Sequence, residues 1–257
     1  MYKENIKSLV TMCQATQDMF HINTTSGFTC NCLYLFYHNR VFVENNFDYE
    51  ELALAKKYHP NSPYCLLINS QNIDAKNSLP PDVFEFCISW PAMKLDLKAI
   101  SESRLFQNQH ILIKEISSEK EIVATWIPLV IYEYNSQIIL TEDDFQKAFH
   151  DWEIFFTYLK SSIVYKNMHF FLGYWDGTPV ATGLFITQNN DVYIHWIGCM
   201  PDFRKRGIGS AITSIPLDNF KKQGIKRAFL FASVMGKPIY EKLGFSVIGS
   251  IDVYKTK

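Results

Sequence analysis

A stretch in the last quarter of the chain decides the fold: DVYIHWIGCMPDFRKRGIGS, residues 191–210. Its first part, Val192–Ile197, combines aromatic and β-branched residues, which is typical of a strand. Beyond it, apolar residues recur at Ile208, Ala211, Ile212 and Ile215, which is helical spacing. The stretch therefore predicts a strand, a turn that contains Gly207 and Gly209, and a helix.

This turn has the properties of an anion site. The first N–H groups of a helix have no intrahelical partner, and residues without a Cβ let an anionic group approach them closely. Arg204, Lys205 and Arg206 add three positive charges. We expect residues 204–210 to bind a phosphate or pyrophosphate.

A simpler interpretation of these seven residues is a tight turn beside a solvated basic loop. Two familiar phosphate motifs are excluded. The chain has no G-x-x-x-x-G-K-[ST] here, and the third glycine of a dinucleotide fingerprint would fall at Ile212. The following segment decides between the alternatives, because Arg227–Ser233 predicts a buried strand and Gly236–Phe245 a short helix that ends at Gly244.

Two motifs in this region resemble the GNAT superfamily of N-acetyltransferases. Met200–Gly209 resembles its acetyl-CoA loop, [QR]-x-x-G-x-[GA], and Ala232–Phe245 resembles its last helix with the ending Y-x-x-x-G-F. The resemblance covers residues 110–257. It implies an α/β (α+β) fold, with a mixed central sheet flanked by helices and acetyl-CoA as the acyl donor.

The resemblance also implies roles for particular residues. The backbone of the strand before the loop would bind pantetheine and polarise the thioester carbonyl, through N–H groups that face the developing negative charge. Tyr240 would donate a proton to the departing thiolate, and Ser233 would bind pantetheine or cap the last helix. The cofactor-binding residues are then Ile197, Gly198, Cys199, Arg204, Lys205, Arg206, Gly207, Ile208, Gly209, Ser210 and Ser233.

Two side chains on the loop-bearing strand carry titratable groups. His195 is the candidate general base, because histidine titrates near neutral pH and the two-residue period places it on the face of Ile197 and Cys199. The alternative is a histidine packed between Tyr193 and Trp196. We expect Cys199 to contribute backbone rather than a nucleophilic thiol, because no Cys–His arrangement is matched nearby.

Composition limits the class of partner and the compartment. The net charge of −1 gives no reason to expect nucleic acid or an anionic membrane. The six cysteines form neither a C-x-x-C pair nor a zinc spacing, so we expect no metal and a reducing cytoplasm. Neither a signal segment nor an apolar run of membrane-spanning length is present in the sequence.

Glycine usage separates the two parts of the chain. Gly27 is the only glycine in residues 1–110, and the other ten lie between Gly173 and Gly249. We place a boundary near Gln107–Gln109, between an N-terminal α/β domain (1–108) of unknown role and the GNAT-like domain (109–257). Without further glycines, the first domain is predicted to hold no acyl-CoA site.

The N-terminal part has an α-β-β-α-β-β order, which suggests a degenerate half of a second acyltransferase-like domain. The predicted elements are helices at Tyr2–Phe20, Tyr49–Tyr58 and Met93–Phe106, strands at Phe28–Tyr37, Val41–Val43, Tyr64–Ile68 and Val83–Trp90, and a loop at Ser70–Pro81. Pro91 is expected to end the last of these strands.

The C-terminal part is predicted to have the element order β-α-α-β-β-β-α-β-α-β. The predicted strands are His110–Ile116, Phe170–Trp175, Val180–Thr187, Asp191–Cys199 and Lys226–Ala232, and the predicted helices before the phosphate loop are Glu119–Tyr134 and Glu142–Tyr165. Asp176-Gly177 predicts a hairpin turn. The crossover rule makes Lys226–Ala232 parallel to the loop-bearing strand, and Pro216 should kink or shorten the helix Gly207–Gln223 between them.

The long helix carries an aromatic stripe of Phe145, Phe149, Trp152 and Phe156. Core packing explains such a stripe, although one or two of its members, or Tyr132 and Tyr134, could face the substrate.

The sequence thus predicts an N-acyltransferase that moves acetyl from acetyl-CoA to a primary amine by direct attack in a ternary complex. The alternative is a catalytically inactive module with this fold that binds CoA or a protein. The acceptor could be a small molecule or a protein amine, and a longer acyl group is open as well.

Overall fold

The computed structural model describes residues 22–23, 27–30, 39–43, 64–99, 108–134, 140–161 and 165–257. In chain order its strands are β1 (Ile22–Asn23), β2 (Gly27–Cys30), β3 (Asn39–Val43), β4 (Tyr64–Asn69), β5 (Phe84–Asp96), β6 (Ile111–Ile116), β7 (Met168–Trp175), β8 (Thr178–Gln188), β9 (Asp191–Cys199), β10 (Arg227–Phe231) and β11 (Ser246–Thr256). The helices are α1 (Ile73–Asn77), the helical run α2 (119–134), α3 (Glu142–Ser161), α4 (Ile208–Lys222) and α5 (Lys237–Lys242).

The chain divides into two compact units. The first comprises Met1–Ala92, Ile154–Tyr165 and Val247–Lys257, and the second comprises Met93–Glu153 and Lys166–Ser246. These units do not follow the predicted boundary near Gln107–Gln109, because the last strand groups with the first part of the chain. As an assignment of separate domains, the division into 1–108 and 109–257 stays a prediction.

In the first unit, neighbouring strands follow the order β1-β2-β3-β4-β11. β3 and β4 are parallel, whereas β1–β2, β2–β3 and β4–β11 are antiparallel. Leu66, Ile68, Ala75, Leu79 and Phe84 form a small buried core. The predicted helices Tyr2–Phe20 and Tyr49–Tyr58 lie outside the described residues, as do residues 31–37 of the predicted strand Phe28–Tyr37.

Three predictions for this part of the chain are wrong. The predicted loop Ser70–Pro81 contains α1, whose start is capped by a hydrogen bond from the Ala75 amide to the Asn72 side chain at 3.0 Å. Pro91 does not end its strand, since β5 continues to Asp96. Residues 93–96 are strand and Leu97–Ala99 a 3₁₀ turn, rather than the start of the predicted helix Met93–Phe106. The alternation of buried Met93, Leu95 and Leu97 with more exposed neighbours is a strand pattern.

The second unit contains a mixed sheet with the order β10-β9-β8-β7-β6. β10 runs parallel to β9, and the remaining neighbours are antiparallel. This arrangement confirms the predicted fold class of a mixed sheet with flanking helices, and it confirms the parallel crossover through α4. The hairpin at Asp176-Gly177 is also confirmed, with φ values of +47° and +81° that a type I′ turn requires.

The helices of this unit differ from their predicted form in two places. Pro216 lies inside α4 without shortening it, because the helix continues to Lys222. In α2, a π-helical segment at Ile122–Trp126 directly precedes the α-helical Ile127–Tyr134, which contains Pro128. Proline cannot donate a regular helical hydrogen bond, and a wider turn before it accommodates that loss.

The main core lies between the sheet and α4. Its members include Phe171, Phe185, Ile194, Ile208 and Phe220, all buried. Trp126 and Trp152, from α2 and α3, instead pack against Trp196 of β9 at centroid distances of 5.8 and 5.0 Å. β9 is therefore anchored by tryptophans in its middle and leads directly into the turn before α4.

Candidate active site

The turn before α4 has the geometry of an anion-binding helix start. Gly207 has a φ of +87° and caps the helix, which begins at Ile208. The Ala211 amide donates to the Gly207 carbonyl at 3.0 Å. The three preceding amides, of Ile208, Gly209 and Ser210, belong to the first turn, where intrahelical acceptors are missing. These N–H groups can therefore donate to an external anion.

Gly209 differs from Gly207 because the fold does not require a glycine at position 209. Its φ is not positive, and a Cβ built at this position would meet only the Ile239 Cδ1 atom, at 3.4 Å. Neither backbone conformation nor internal packing demands a glycine there. The space in front of the first turn is thus left free by the chain itself, which fits a ligand that approaches the backbone.

The three basic residues of the turn have different surroundings. The Arg204 Nε donates to the Cys199 carbonyl at 2.9 Å, and its guanidinium lies 3.5 Å from the Glu133 carbonyl. Arg206 lies over the rings of Trp175 and Phe203, at 5.0 and 5.2 Å from their centroids. Lys205 is exposed. Lys205 and Arg206 therefore remain at the surface of the turn, whereas Arg204 connects it to the end of β9.

β9 and β10 pair over only a short length. Their register joins residues 191–193 to residues 227–229, and a double hydrogen bond between Arg227 and Asp191, both at 2.7 Å, fixes this end. Among the described residues the pairing stops there, although β9 continues to Cys199 and β10 to Phe231. The unpaired part of β9 therefore leaves backbone groups for the pantetheine site that the resemblance implies.

A β-bulge interrupts β9 beside this unpaired part. The register with β8 joins Leu184 to His195 and Thr182 to Gly198, so two residues of β9 oppose the single residue Gly183. Trp196, one of the two, has a φ of +47°, which is unusual for a bulky residue. Its packing against Trp126 and Trp152 holds this conformation.

The bulge corrects the predicted placement of His195. Leu184 and Thr182 share one face of β8, so their partners His195 and Gly198 share that face as well. Ile197 and Cys199 lie on the opposite face and pack against the main core. The two-residue period failed here because the extra residue reverses the alternation between His195 and Ile197.

The backbone at the end of β9 is oriented by its pairing with β8. The Met200 amide donates to the Val180 carbonyl at 2.9 Å. In an antiparallel pair the direction of the N–H groups alternates, so the Gly198 amide points towards β8 and the Cys199 amide points away from it. The Cys199 amide therefore faces the side of β10, where it could donate to an oxyanion, whereas Ile197 lies in the bulge, where the alternation is interrupted.

A buried carboxyl group lies against this segment. Glu133, in α2, is 5% exposed, and its Oε2 atom lies 2.5 Å from the Thr182 hydroxyl. A Cβ built on Gly198 would lie 2.0 Å from the same Oε2 atom. Burial raises the pKa of Glu133 to about 8, although Thr182 and the Arg204 charge oppose the shift. Gly198 is therefore required for space, and a neutral acid fills that space near pH 7.

Our reasoning from sequence missed Glu133 and Thr182. A signal for Glu133 was present, because it is the only charged residue between Glu121 and Glu142 in an otherwise apolar helix. A single carboxylate in an apolar helical segment indicates a buried acid. Thr182 carries no comparable signal, since threonine is common in strands.

The surroundings of Cys199 and Tyr240 bear on their chemistry. Burial, followed by the nearby Glu133 carboxylate, raises the pKa of the Cys199 thiol to about 12. The Tyr240 side chain is buried, which raises the pKa of its phenol, and its ring contacts Phe245 at 5.7 Å between centroids. Both groups are therefore protonated near neutral pH, which disfavours a thiolate and suits a proton donor.

Ser233 and Tyr240 meet around Gly236. A Cβ on Gly236 would lie 2.9 Å from the Tyr240 ring and 3.1 Å from the Ser233 hydroxyl. The Gly236 amide donates to that hydroxyl at 3.0 Å, and the Lys237 amide to the Ser233 carbonyl at 2.9 Å. Ser233 thus stabilises the turn before α5 but does not cap that helix, whose N-cap is Gly236 without a side-chain cap. Pantetheine binding by Ser233 stays a prediction.

The aromatic stripe divides into two parts. Trp152 and Phe156 are buried, as core packing predicts. Phe145 and Phe149 are half-buried, and Phe145 stacks on the exposed Tyr132 at 4.9 Å. This surface offers partly exposed aromatic rings.

Two kinds of feature are absent from the described residues. None of their helices is both long and apolar enough to cross a membrane. They also contain no group of three or more His, Cys, Asp or Glu side chains that could hold a metal ion.

Comparison with solved structures shows the fold over nearly the whole chain. A GCN5-related N-acetyltransferase from Kribbella flavida is similar with a TM-score of 0.63 and 13% identity, covering 98% of this chain and 96% of that one. A GCN5-related N-acetyltransferase-like protein from Streptococcus suis has a TM-score of 0.59 and 13% identity, with 99% of each chain covered. A GCN5-related N-acetyltransferase from Sphaerobacter thermophilus has a TM-score of 0.62 and 14% identity, covering 90% of this chain and 76% of that one.

Sequence comparison relates part of the chain to a known family. No curated protein sequence matches the chain. Residues 131–255 match the family model described as acetyltransferase (GNAT) domain, and this range contains Glu133, the β9 bulge, the glycine turn and Tyr240. Over this range the chain is therefore similar to a GNAT acetyltransferase domain.

Proposed function

We propose that the protein is an N-acyltransferase that transfers acetyl from acetyl-CoA to a primary amine by direct attack in a ternary complex. The observation that carries the proposal is the juxtaposition of two features at the end of β9. The glycine turn offers free amides and positive charge, and the bulged, partly unpaired strand ahead of it ends with the Cys199 amide directed away from β8.

The residues divide into those that bind the donor and those that assist the reaction. The amides of residues 207–210, with Lys205 and Arg206, would hold the pyrophosphate and phosphate groups. Ile197 and Cys199 would donate to the thioester oxygen as it becomes negative. Gly198 keeps the segment in place, and Arg204 fixes it through the Cys199 carbonyl.

Proton transfer completes the reaction. The attacking amine must lose a proton, and His195 is the acceptor that the sequence suggests. Tyr240 would protonate the leaving thiolate, and its raised pKa keeps the phenol protonated until that step. Cys199 remains a thiol throughout, so no acyl-enzyme is part of the proposal.

The acceptor is a primary amine of a small molecule or a protein. The proposal includes neither nucleic acid nor a membrane, and it places the protein in the cytoplasm. The thiols of Cys87 and Cys199 are free, which suits that reducing compartment.

A thiol-release assay tests the proposal. The purified protein would be incubated with acetyl-CoA and, separately, with 2-phenylethylamine, spermidine and a lysine-containing peptide, while free CoA thiol is measured. We expect release that depends on at least one amine and on the protein. Binding of acetyl-CoA without release from any amine would favour the inactive module instead.

A further inference from the structure

Glu133 is a buried acid that the sequence did not assign to any step. Its side chain is enclosed by α2, by Thr182 of β8 and by Gly198 of β9, which leaves it 5% exposed. It lies on the same face of the sheet as His195 and directly beside the segment proposed to hold the thioester. A group in this position would meet an amine that attacks the thioester.

One oxygen of this carboxyl group has a protein partner, and the other does not. Oε2 contacts the Thr182 hydroxyl, whereas Oε1 is buried and has no hydrogen-bond partner among the described residues. An unsatisfied buried acceptor is costly. The missing partner is a hydrogen-bond donor, and an amine or ammonium group is such a donor.

Thr182 gives a second reason to consider proton transfer. Its hydroxyl lies 2.5 Å from Glu133 Oε2 and 3.2 Å from the Trp196 carbonyl oxygen. A hydroxyl carries one proton and can donate to only one of them. Both contacts are satisfied when Glu133 is protonated and donates to Thr182, while Thr182 donates to Trp196. The site can therefore store a proton beside the bulge.

We propose that Glu133 is the catalytic proton acceptor, which takes a proton from the neutral amine as its nitrogen attacks the thioester carbonyl carbon. The carbon–sulfur bond then breaks with its electron pair on sulfur, and the sulfur receives a proton from Tyr240. The amide nitrogen keeps its one remaining proton. This inference rests on the proposed function.

The electrostatic surroundings suit such a role. Burial raises the pKa of Glu133 to about 8, so the ionised form is a stronger base than an ordinary carboxylate. The charge that acts on Glu133 is that of Arg204, which favours ionisation. The Cys199 thiol lies near enough for the Glu133 charge to raise its pKa, and His195 lies on the same face of β9 as Gly198.

The test compares wild type with Glu133→Gln across pH. Gln keeps the shape and the contact with Thr182 but cannot accept the proton. We would measure kcat/KM with acetyl-CoA and 2-phenylethylamine, or whichever amine of the panel releases most thiol, from pH 6 to 9.5. The titration of the amine itself cancels in the ratio of wild type to variant.

We expect this ratio to reach about 100 above pH 8, the lower end of the range for a general base. Below pH 8 it should fall about tenfold per pH unit, because the ionised fraction of Glu133 falls by that factor. Glu119→Gln, an exposed change in the same helix, should give a ratio near one throughout. His195→Gln separates the two candidate acceptors, because the dependence near pH 8 should persist in this variant if Glu133 accepts the proton and disappear if His195, the acceptor suggested by the sequence, does.

A ratio that does not change with pH would overturn the proposal. A ratio that rises as the pH falls would also overturn it, because the protonated acid would then act only by positioning the bulge through Thr182. Thermal melts with acetyl-CoA separate this failure from that of the proposed function. A wild type that is stabilised by acetyl-CoA but releases no thiol refutes the enzyme itself, and with it the role of Glu133.

Discussion

The turn before α4 and the bulge of β9 are adjacent parts of one site, built in opposite ways. The turn consists of exposed backbone amides and surface charges, with open space in front of Gly209. At the bulge, side chains from three elements fill the space, with Glu133 against Gly198 and Trp196 between Trp126 and Trp152. The first region leaves its backbone accessible, whereas the second is filled by the chain's own side chains.

This contrast implies a division of labour. Exposed amides and cations can bind a phosphate but have little influence on proton transfer. A buried acid beside a fixed backbone segment can take part in the reaction because its pKa is shifted and its geometry does not relax. We therefore expect changes in the turn to weaken binding, and changes around the bulge to slow the reaction.

Gly198→Ala should have the largest effect, because the new Cβ would displace the Glu133 carboxylate. Overpacking of about 1–3 kcal/mol should lower Tm by several degrees. Displacement of residues 197–199, which are proposed to hold the thioester, should reduce turnover by about 100-fold or more. Calorimetry and thiol release measure the two effects. Normal stability and turnover would show that the bulge is not tightly packed.

Tyr240→Phe should reduce turnover by about 100-fold, because the leaving thiolate loses its proton donor. The phenyl ring preserves contact with Phe245, so the dissociation constant of acetyl-CoA should change little. Single-turnover kinetics and calorimetric titration distinguish the two quantities. An equal loss in binding and turnover would instead make Tyr240 a binding residue.

Gly209→Ala should weaken acetyl-CoA binding by about tenfold, or about 1.4 kcal/mol, because a methyl group would fill space reserved for the phosphates. The stability of the free protein should stay the same, since the only neighbour within 4 Å is Ile239 at 3.4 Å. Titration calorimetry and a melt without ligand provide the check. Reduced stability with unchanged binding would reverse the contrast between the two regions.

Glu133→Gln should change how stability depends on pH. In wild type, the acid is protonated up to about pH 8 when folded but ionises near 4.5 when unfolded. The free energy of unfolding of the wild type therefore decreases as the pH rises from about 4.5 to about 8, and the variant lacks this decrease. The difference in Tm between variant and wild type should grow over that interval and level off above it. A constant difference would mean that Glu133 titrates normally.

Cys199→Ala should have the smallest effect, with turnover within about twofold of wild type. The thiol has a pKa of about 12 because it is buried, and its backbone amide is retained in the variant. Steady-state kinetics would measure the turnover of this variant. Complete loss of turnover with normal acetyl-CoA binding would indicate a covalent role.

The turn could be predicted from sequence because its properties are local. Gly207, Gly209 and the three basic residues follow one another in the chain, and the helix start follows from the apolar spacing behind them. Two strand pairings of the second unit were predictable for a similar reason, since the hairpin at Asp176-Gly177 and the crossover through α4 obey short-range rules.

The bulge could not be predicted in the same way, because it depends on contacts between distant residues. Glu133 is 49 positions from Thr182, and their contact appears only in the folded chain. The extra residue at Trp196 leaves no mark in the pattern Tyr-Ile-His-Trp-Ile, so the face assigned to His195 was wrong. The end of β5 was missed because Pro91 usually marks the end of a strand, whereas here the strand continues past it.

The most direct test of the central claim is a thermal melt of the wild-type protein and Gly209→Ala with and without acetyl-CoA, with NAD as the control ligand. At a hundred times the dissociation constant, a ligand stabilises the folded state by about 2.7 kcal/mol. We predict a rise in Tm for wild type with acetyl-CoA alone and a smaller rise for the variant. No rise for wild type, or an equal rise with NAD, would contradict a dedicated acetyl-CoA site on this turn.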